Sequence, residues 1–190
     1  MMFNDSDKLK LKIDSQKEEL AALYKTADSV LQMLDIKNFI QAFNSRNEEI
    51  FSIVIHNGKP FVITIELKYS SIHDGLLSEI NFYGYIVESP SSLYRDNDLY
   101  AEINYNNLHT KIESVFLIDN TGHSRNQGYG SLMMKAFLAY IKKLRVTKVI
   151  GKLSWVDTQD PTHEKLLHHF YTKFGFKLLP ENRIQLDIKY

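Results

Sequence analysis

Short apolar and aromatic runs, separated by turn sequences, fill the chain between residues 50 and 118. The turn sequence Asn57-Gly58-Lys59-Pro60 separates two such runs, 50–55 and 61–69, and predicts a β-hairpin. Three more strands are predicted further along, over 80–87, 99–105 and 110–118. Because consecutive short strands usually pair with their neighbours, this part of the chain predicts an antiparallel meander.

The period of the apolar residues changes after Gly128. Residues 128–144 carry apolar side chains at helical spacing and predict a strongly amphipathic helix. A strand is predicted next, over 146–155, and then a second helix. That helix is predicted to begin after the N-cap Asp160 and to stop at Gly175. Two final strands are predicted over 176–179 and 184–188.

The N-terminal region predicts a long helix over 7–34. From Leu20 to Leu34 its apolar residues alternate between spacings of three and four, as in a heptad repeat. This stripe has to be buried either against the chain's own domain or against a second copy in a coiled-coil homodimer, and the pattern leaves both open. We therefore divide the chain into an N-terminal helical segment packed on the core, residues 1–46, and a core domain, residues 47–190.

Composition excludes several classes of chemistry and partner. The 190 residues include no cysteine, so there is no disulfide, thiol nucleophile or cysteine-ligated metal. Lys and Arg total 23 against 23 Asp and Glu, which gives no global charge for binding nucleic acid or an anionic membrane. The N-terminus has no apolar segment of the signal-peptide kind, and no run is long enough to span a bilayer. We expect a cytoplasmic protein with no nucleic-acid partner and no membrane association.

One cluster imitates a metal-binding motif. His163 and Glu164 are followed by His168, but the two histidines are five residues apart instead of the four that a zinc helix requires. At about 100° per residue they lie about 140° apart around a helix. The sequence therefore predicts no metal site.

The segment Arg125-Asn126-Gln127-Gly128-Tyr129-Gly130 lies between a predicted strand and a predicted helix. A glycine-bearing turn that opens a helix leaves backbone N–H groups unpaired at the positive end of the helix dipole. Such a turn suits a pyrophosphate, and Arg125 adds a fixed positive charge. An ordinary loop–helix junction is the alternative that this pattern leaves open.

Two motifs in this order resemble the GNAT superfamily of acetyl-CoA-dependent N-acetyltransferases. Arg125, Gly128 and Gly130 match the Arg/Gln-x-x-Gly-x-Gly/Ala loop of that family, and residues 170–176, Phe-Tyr-Thr-Lys-Phe-Gly-Phe, resemble its helix-ending signature. The resemblance implies an α+β fold with a mixed, mostly antiparallel central sheet flanked by helices. The predicted N-terminal helix would be an addition to it.

The resemblance also implies a function, the transfer of an acetyl group from acetyl-CoA to a primary amine of a small molecule or peptide by direct attack. The residues implied to bind the coenzyme are Phe116, Leu117, Ile118, Arg125, Asn126, Gln127, Gly128, Tyr129, Gly130 and Ser131. Tyr171 takes the place of the acid that assists the leaving thiolate. Glu113 is the best-placed base, followed by Asp119 and His123. The alternative is a GNAT-like module that binds acyl-CoA as a sensor or interaction module without catalysis.

Overall fold

The computed structural model describes residues 16–19, 21–22, 43, 46–71, 75–89, 92–106, 112–124, 126–154 and 158–190. The strands are β1 Glu49–His56, β2 Lys59–Tyr69, β3 Leu77–Ser89, β4 Ser92–Tyr105, β5 Ile112–Gly122, β6 Lys148–Lys152, β7 Lys177–Leu179 and β8 Arg183–Asp187. The two helices with described bounds are α1 Tyr129–Lys143 and α2 Pro161–Lys173.

The eight strands of the described residues form one sheet in the order β1-β2-β3-β4-β5-β6-β8-β7. Strands β1 to β5 pair antiparallel with their neighbours, so the predicted meander is confirmed. Strand β6 pairs parallel with β5, whereas β8 pairs antiparallel with both β6 and β7. The parallel step follows from the long connection through α1, since parallel neighbours need a crossover.

The main core lies between one face of the sheet and the helices. Alternate residues of β2, such as Phe61 and Ile63, point into it. Helix α1 covers this face with Met133, Met134 and Phe137, all fully buried. The amphipathic helix predicted after Gly128 is therefore confirmed, and its apolar side packs on the sheet.

Both helices lie on the same face of the sheet. The connections β5–α1–β6 and β6–α2–β7 move in one direction along the sheet, and right-handed crossovers then place their helices on one side. The helices meet where α1 begins, since a Cβ built on Gly130 would lie 3.8 Å from the Phe170 ring. The predicted ends of α2 are confirmed: the Asp160 carboxylate caps its first turn at Thr162, and Gly175 follows with φ +86°.

The predicted fold class, an α+β fold of GNAT type with helices flanking a central sheet, is wrong. The described chain is mostly β and is built on one eight-stranded sheet. The strands are longer than the polarity of their ends suggests: β4 begins at Ser92 rather than at 99, and β5 ends at Gly122 rather than at 118. Ladder bonds to neighbouring strands satisfy these polar stretches. In addition, α1 and α2 cover one face only.

The other face of the sheet carries a second, smaller buried cluster. The Glu48 carboxylate, 5% exposed, accepts hydrogen bonds from the Thr64 hydroxyl at 2.5 Å and the Tyr85 hydroxyl at 2.9 Å. Phe43 packs edge-on against the Tyr85 ring, and Arg46 donates to the Tyr85 hydroxyl. These contacts attach Phe43, Arg46 and Glu48 to the sheet.

Most of the predicted N-terminal helix lies outside the described residues. Residues 16–19, 21 and 22 have helical backbone, as the prediction over 7–34 requires. The choice between packing on the core and a homodimer contact stays a prediction, as does the domain division at residue 46.

Candidate active site

The parallel pair β5–β6 is short and then diverges. Its partners are Val115–Val149, Phe116–Ile150 and Leu117–Gly151. Strand β5 continues to Gly122, paired on its other side with β4. Over the described residues, the edge of β5 that faces β6 is therefore open from Ile118 to Gly122. An open edge of this kind offers backbone N–H and C=O groups to an extended ligand.

The glycine on β6 sets how closely the two strands approach. A Cβ built on Gly151 would lie 2.9 Å from the carbonyl oxygen of Leu117, which is closer than any real Cβ contact. The strands are thus in tight contact at the last pair and separate directly afterwards. Glycine is the only residue that allows this junction without a backbone shift.

A β-bulge lies at the same point on the opposite edge of β5. Tyr100 of β4 is opposite Asp119, and Ala101 is opposite Leu117, so Ile118 has no partner in the ladder. The extra residue in a bulge is left unpaired, and bulges re-aim a strand near functional sites. The pairing of β5 therefore changes on both edges at Ile118: the pairing with β6 ends, and the pairing with β4 is interrupted.

The loop after β5 turns sharply into α1. Asn126 and Gly128 both have positive φ, +59° and +89°, and Gly128 is the N-cap of α1 without a side-chain cap. Its carbonyl accepts from Ser131 N–H at 3.0 Å and from Leu132 N–H at 3.2 Å. The first turn of α1 holds no acidic residue. The N–H groups of Tyr129 and Gly130 come before these two bonds. At the start of an α-helix such groups have no acceptor within the helix and lie at the positive end of the dipole.

Two anchors hold this loop, one on each side of Arg125, which lies outside the described residues. The first is Asp96 of β4, which is 2% exposed. Its Oδ1 accepts two hydrogen bonds from Ser124, one from the backbone N–H at 3.1 Å and one from the hydroxyl at 2.6 Å. The second is His56, at the end of β1, whose Nε2 lies 2.5 Å from the carbonyl oxygen of Gln127. The loop is fixed in position by strands far from it in the sequence.

The coenzyme residues predicted on β5 lie at this junction. Leu117 is 2% exposed in the main core, whereas Phe116 is half-buried and points to the other face. The backbone of Ile118 occupies the bulge, and its side chain lies outside the described part. Tyr129 is 2% exposed and packs on Phe61 with ring centroids 4.7 Å apart. Burial raises the pKa of its hydroxyl, so that group stays protonated.

The two predicted catalytic residues occupy different surroundings. Tyr171 is 7% exposed on α2, with ring centroids 5.2 Å from Phe170 and 5.4 Å from Phe176. Through Phe170 its helix reaches the start of α1. Glu113 is exposed on β5. It lies five residues before Ile118, about 16 Å away at about 3.3 Å per residue. The structure brings the loop, the open edge and α2 together, but it does not bring Glu113 to them.

Sequence reasoning did not find His56, Asp96 or the Ile118 bulge. The Asn57-Gly58 turn was a clear signal for the hairpin, but no local pattern shows that the hairpin end contacts residue 127. A lone aspartate in a polar strand likewise carries no sign of burial.

Comparison with known proteins gives no family. No family model matches the chain, and no curated protein matches it either. Among the described residues, no group of three or more His, Asp or Glu side chains is arranged to hold a metal ion. Within the same residues, no helix is long and apolar enough to cross a membrane.

Proposed function

We propose that this chain is an N-acetyltransferase that transfers an acetyl group from acetyl-CoA to a primary amine. One observation carries the proposal: the β5–β6 pairing ends at Leu117, and the bulge at Ile118 changes the other edge of β5 at the same place. The proposal rests on this site and not on the fold class, which the structure corrected. The resemblance to the N-acetyltransferase motifs supports it as a prediction.

The open edge of β5 suits the pantetheine arm of the coenzyme. Pantetheine is an extended chain with two amide groups, so it can bond to a strand edge as an added strand does. The open edge from Ile118 to Gly122 leads from the β5–β6 junction towards the loop before α1. A coenzyme bound in this direction has its thioester at the junction and its pyrophosphate at the loop.

The loop and the first turn of α1 suit the pyrophosphate. Gly128 has φ +89°, and Gly130 has no side chain at the second position of the helix. Backbone N–H groups and the helix dipole favour a doubly charged ligand there. Arg125, in the predicted role, adds a charge-assisted contact to the phosphate oxygens. Asn126, Gln127, Tyr129 and Ser131 contribute backbone groups to the same turn.

The chemistry then needs no covalent intermediate on the protein. The amine nitrogen attacks the thioester carbonyl carbon, and the carbonyl oxygen takes up negative charge in the tetrahedral intermediate. In this proposal a backbone N–H on the open edge of β5 stabilises that oxygen. The C–S bond breaks as the intermediate collapses, and Tyr171 donates its proton or a hydrogen bond to the leaving thiolate. The proton lost by the amine passes to water, because Glu113, the predicted base, lies too far along β5 to accept it directly.

One observation favours the second candidate, an acyl-CoA-binding module without turnover. Glu113 lies about 16 Å along the strand from Ile118, a distance that excludes direct proton transfer to it. Such a module would bind acetyl-CoA at the same loop and strand edge. It would not release thiol when an amine is added.

Calorimetric titration of acetyl-CoA into the full chain tests the coenzyme site. Gly128→Ala places a Cβ at a φ of +89° and 3.0 Å from the His56 ring, whereas Gly75→Ala has a similar φ of +73° and open space around it. We expect acetyl-CoA to bind wild type and Gly75→Ala equally and Gly128→Ala at least about 10-fold more weakly. Equal affinity in the two alanine variants would contradict the site. No heat of binding to wild type would contradict both candidate functions.

A further inference from the structure

One histidine at the end of the β1–β2 hairpin contacts the loop before α1, where the pyrophosphate of the coenzyme is proposed to bind. His56 Nε2 lies 2.5 Å from the carbonyl oxygen of Gln127, and its ring packs edge-on against Tyr129 with centroids 4.9 Å apart. A carbonyl oxygen only accepts, so Nε2 carries the proton and donates it. The ring is thus held at two points, one on the loop and one on the first residue of α1.

We propose that His56 is a positioning residue that orients the peptide group between Gln127 and Gly128 for coenzyme binding. This inference rests on the proposed function. In a trans peptide the C=O and the following N–H point in opposite directions. Since His56 holds the carbonyl of Gln127, the N–H of Gly128 points away from His56, to the other side of the loop. That N–H then joins the first-turn N–H groups of α1 as a donor to the pyrophosphate.

The absence of a side chain at residue 128 is what lets His56 reach the loop. A Cβ built on Gly128 would lie 3.0 Å from Nε2 and 3.2 Å from Cε1 of His56. Any other residue would force the imidazole to shift by a few tenths of an ångström from its position on the Gln127 carbonyl. Gly128 therefore has two structural roles. Its φ of +89° allows the sharp turn, and the absence of a Cβ leaves room for the His56 ring.

The neighbouring side chains do not replace this contact. Asn57 Nδ2 lies 3.5 Å from the same carbonyl, at the limit of a hydrogen bond. Asp96 anchors Ser124, which precedes Arg125, and so holds the other side of the loop. Among the described residues, His56 is the side chain that fixes the peptide next to Gly128.

The test compares a substitution of His56 that removes the N–H donor to the Gln127 carbonyl with one that keeps such a donor. His56→Phe keeps a ring against Tyr129 and removes the donor, whereas His56→Gln keeps an N–H donor at a similar reach. His169→Phe makes the same chemical change at an exposed position of α2. Acetyl-CoA affinity is measured by calorimetry, and thermal unfolding checks that each variant is folded. If His56→Phe does not fold, His56→Ala takes its place.

We expect His56→Phe to bind acetyl-CoA about 2- to 12-fold more weakly, the value of one hydrogen bond, and His56→Gln to bind within about 2-fold of wild type. With an identified amine, the KM for acetyl-CoA should rise in His56→Phe while kcat stays unchanged. Wild-type affinity in His56→Phe would overturn the role of His56 and leave the proposed function standing. Equal weakening in both variants would also overturn it, because the ring and not the donor would then matter. If wild type itself does not bind acetyl-CoA, the proposed function fails, and the coenzyme role of His56 fails with it.

Discussion

Gly151→Ala perturbs the junction where β5 and β6 separate. The new Cβ would lie 2.9 Å from the Leu117 carbonyl oxygen, about 0.5 Å inside the 3.4 Å at which ordinary contacts begin. It would also lie 3.2 Å from Cγ1 of Ile184, which is 2% exposed. Because the closest atom belongs to the backbone, no rotamer change relieves the overlap, and the strands have to move apart.

Overpacking of this kind costs roughly 1–3 kcal/mol of the free energy of unfolding. A chain of this size loses roughly 2–4 °C of melting temperature per kcal/mol, so Gly151→Ala should melt about 2–12 °C below wild type. A displaced junction should also cost about one hydrogen bond to the coenzyme. The acetyl-CoA dissociation constant should therefore rise about 2- to 12-fold.

Circular dichroism measures the melting temperature, and calorimetry at a temperature where both proteins are folded measures the affinity. Val62→Ala is the control, since Val62 is fully buried in the smaller cluster on the other face of the sheet, away from the junction and from Tyr129. It should melt lower than wild type and bind acetyl-CoA normally. An unchanged melting temperature in Gly151→Ala would refute the close approach of the strands. A lower melting temperature with wild-type affinity would refute the junction as part of the coenzyme site.

Three further predictions concern single side chains. Tyr171→Phe removes one hydroxyl, so turnover with an identified amine should fall about 10- to 1,000-fold while acetyl-CoA affinity measured by calorimetry stays within about 2-fold; full turnover would remove Tyr171 from the mechanism. Burial and the hydrogen bond to Glu48 raise the pKa of Tyr85 to about 12 from its ordinary 10. The native state thus holds this proton more tightly than the unfolded state, and the free energy of unfolding should fall as pH rises from 10 to 12, less steeply in Tyr85→Phe in urea titrations. Asp160→Ala removes the cap on Thr162 N–H at 2.8 Å and should cost about 1 kcal/mol in the same titrations, with Asp160→Asn close to wild type.

Local signals were enough to predict most elements of the chain. Asn57-Gly58 forms the turn between β1 and β2, Asp160 caps α2, and Gly175 ends it, because each of these devices depends on residues a few positions away. Helix α1 follows the amphipathic pattern from Gly128 to within one residue at each end. Such features need no knowledge of distant contacts.

The parts that sequence reasoning missed depend on pairing between distant residues. The extension of β5 to Gly122 and the bulge at Ile118 are set by the register with β4. The contact of His56 with Gln127 joins residues 71 positions apart. Both helices lie on one face because the two crossovers run in the same direction along the sheet. That direction is set by the order of the strands. No periodicity in the sequence encodes these relations, and the fold class was predicted wrongly for that reason.

The release of free thiol from acetyl-CoA by the wild-type 190-residue chain, measured over a panel of primary amines, tests the proposed transfer most directly. The panel should include polyamines, amino acids, aminoglycosides and peptides with a free N-terminus or lysine, with one arm that contains no amine. The proposed function predicts thiol release that depends on at least one of these amines and a matching acetylated product by mass spectrometry. Tight binding of acetyl-CoA with no amine-dependent release in any arm would contradict catalysis and favour the acyl-CoA-binding module.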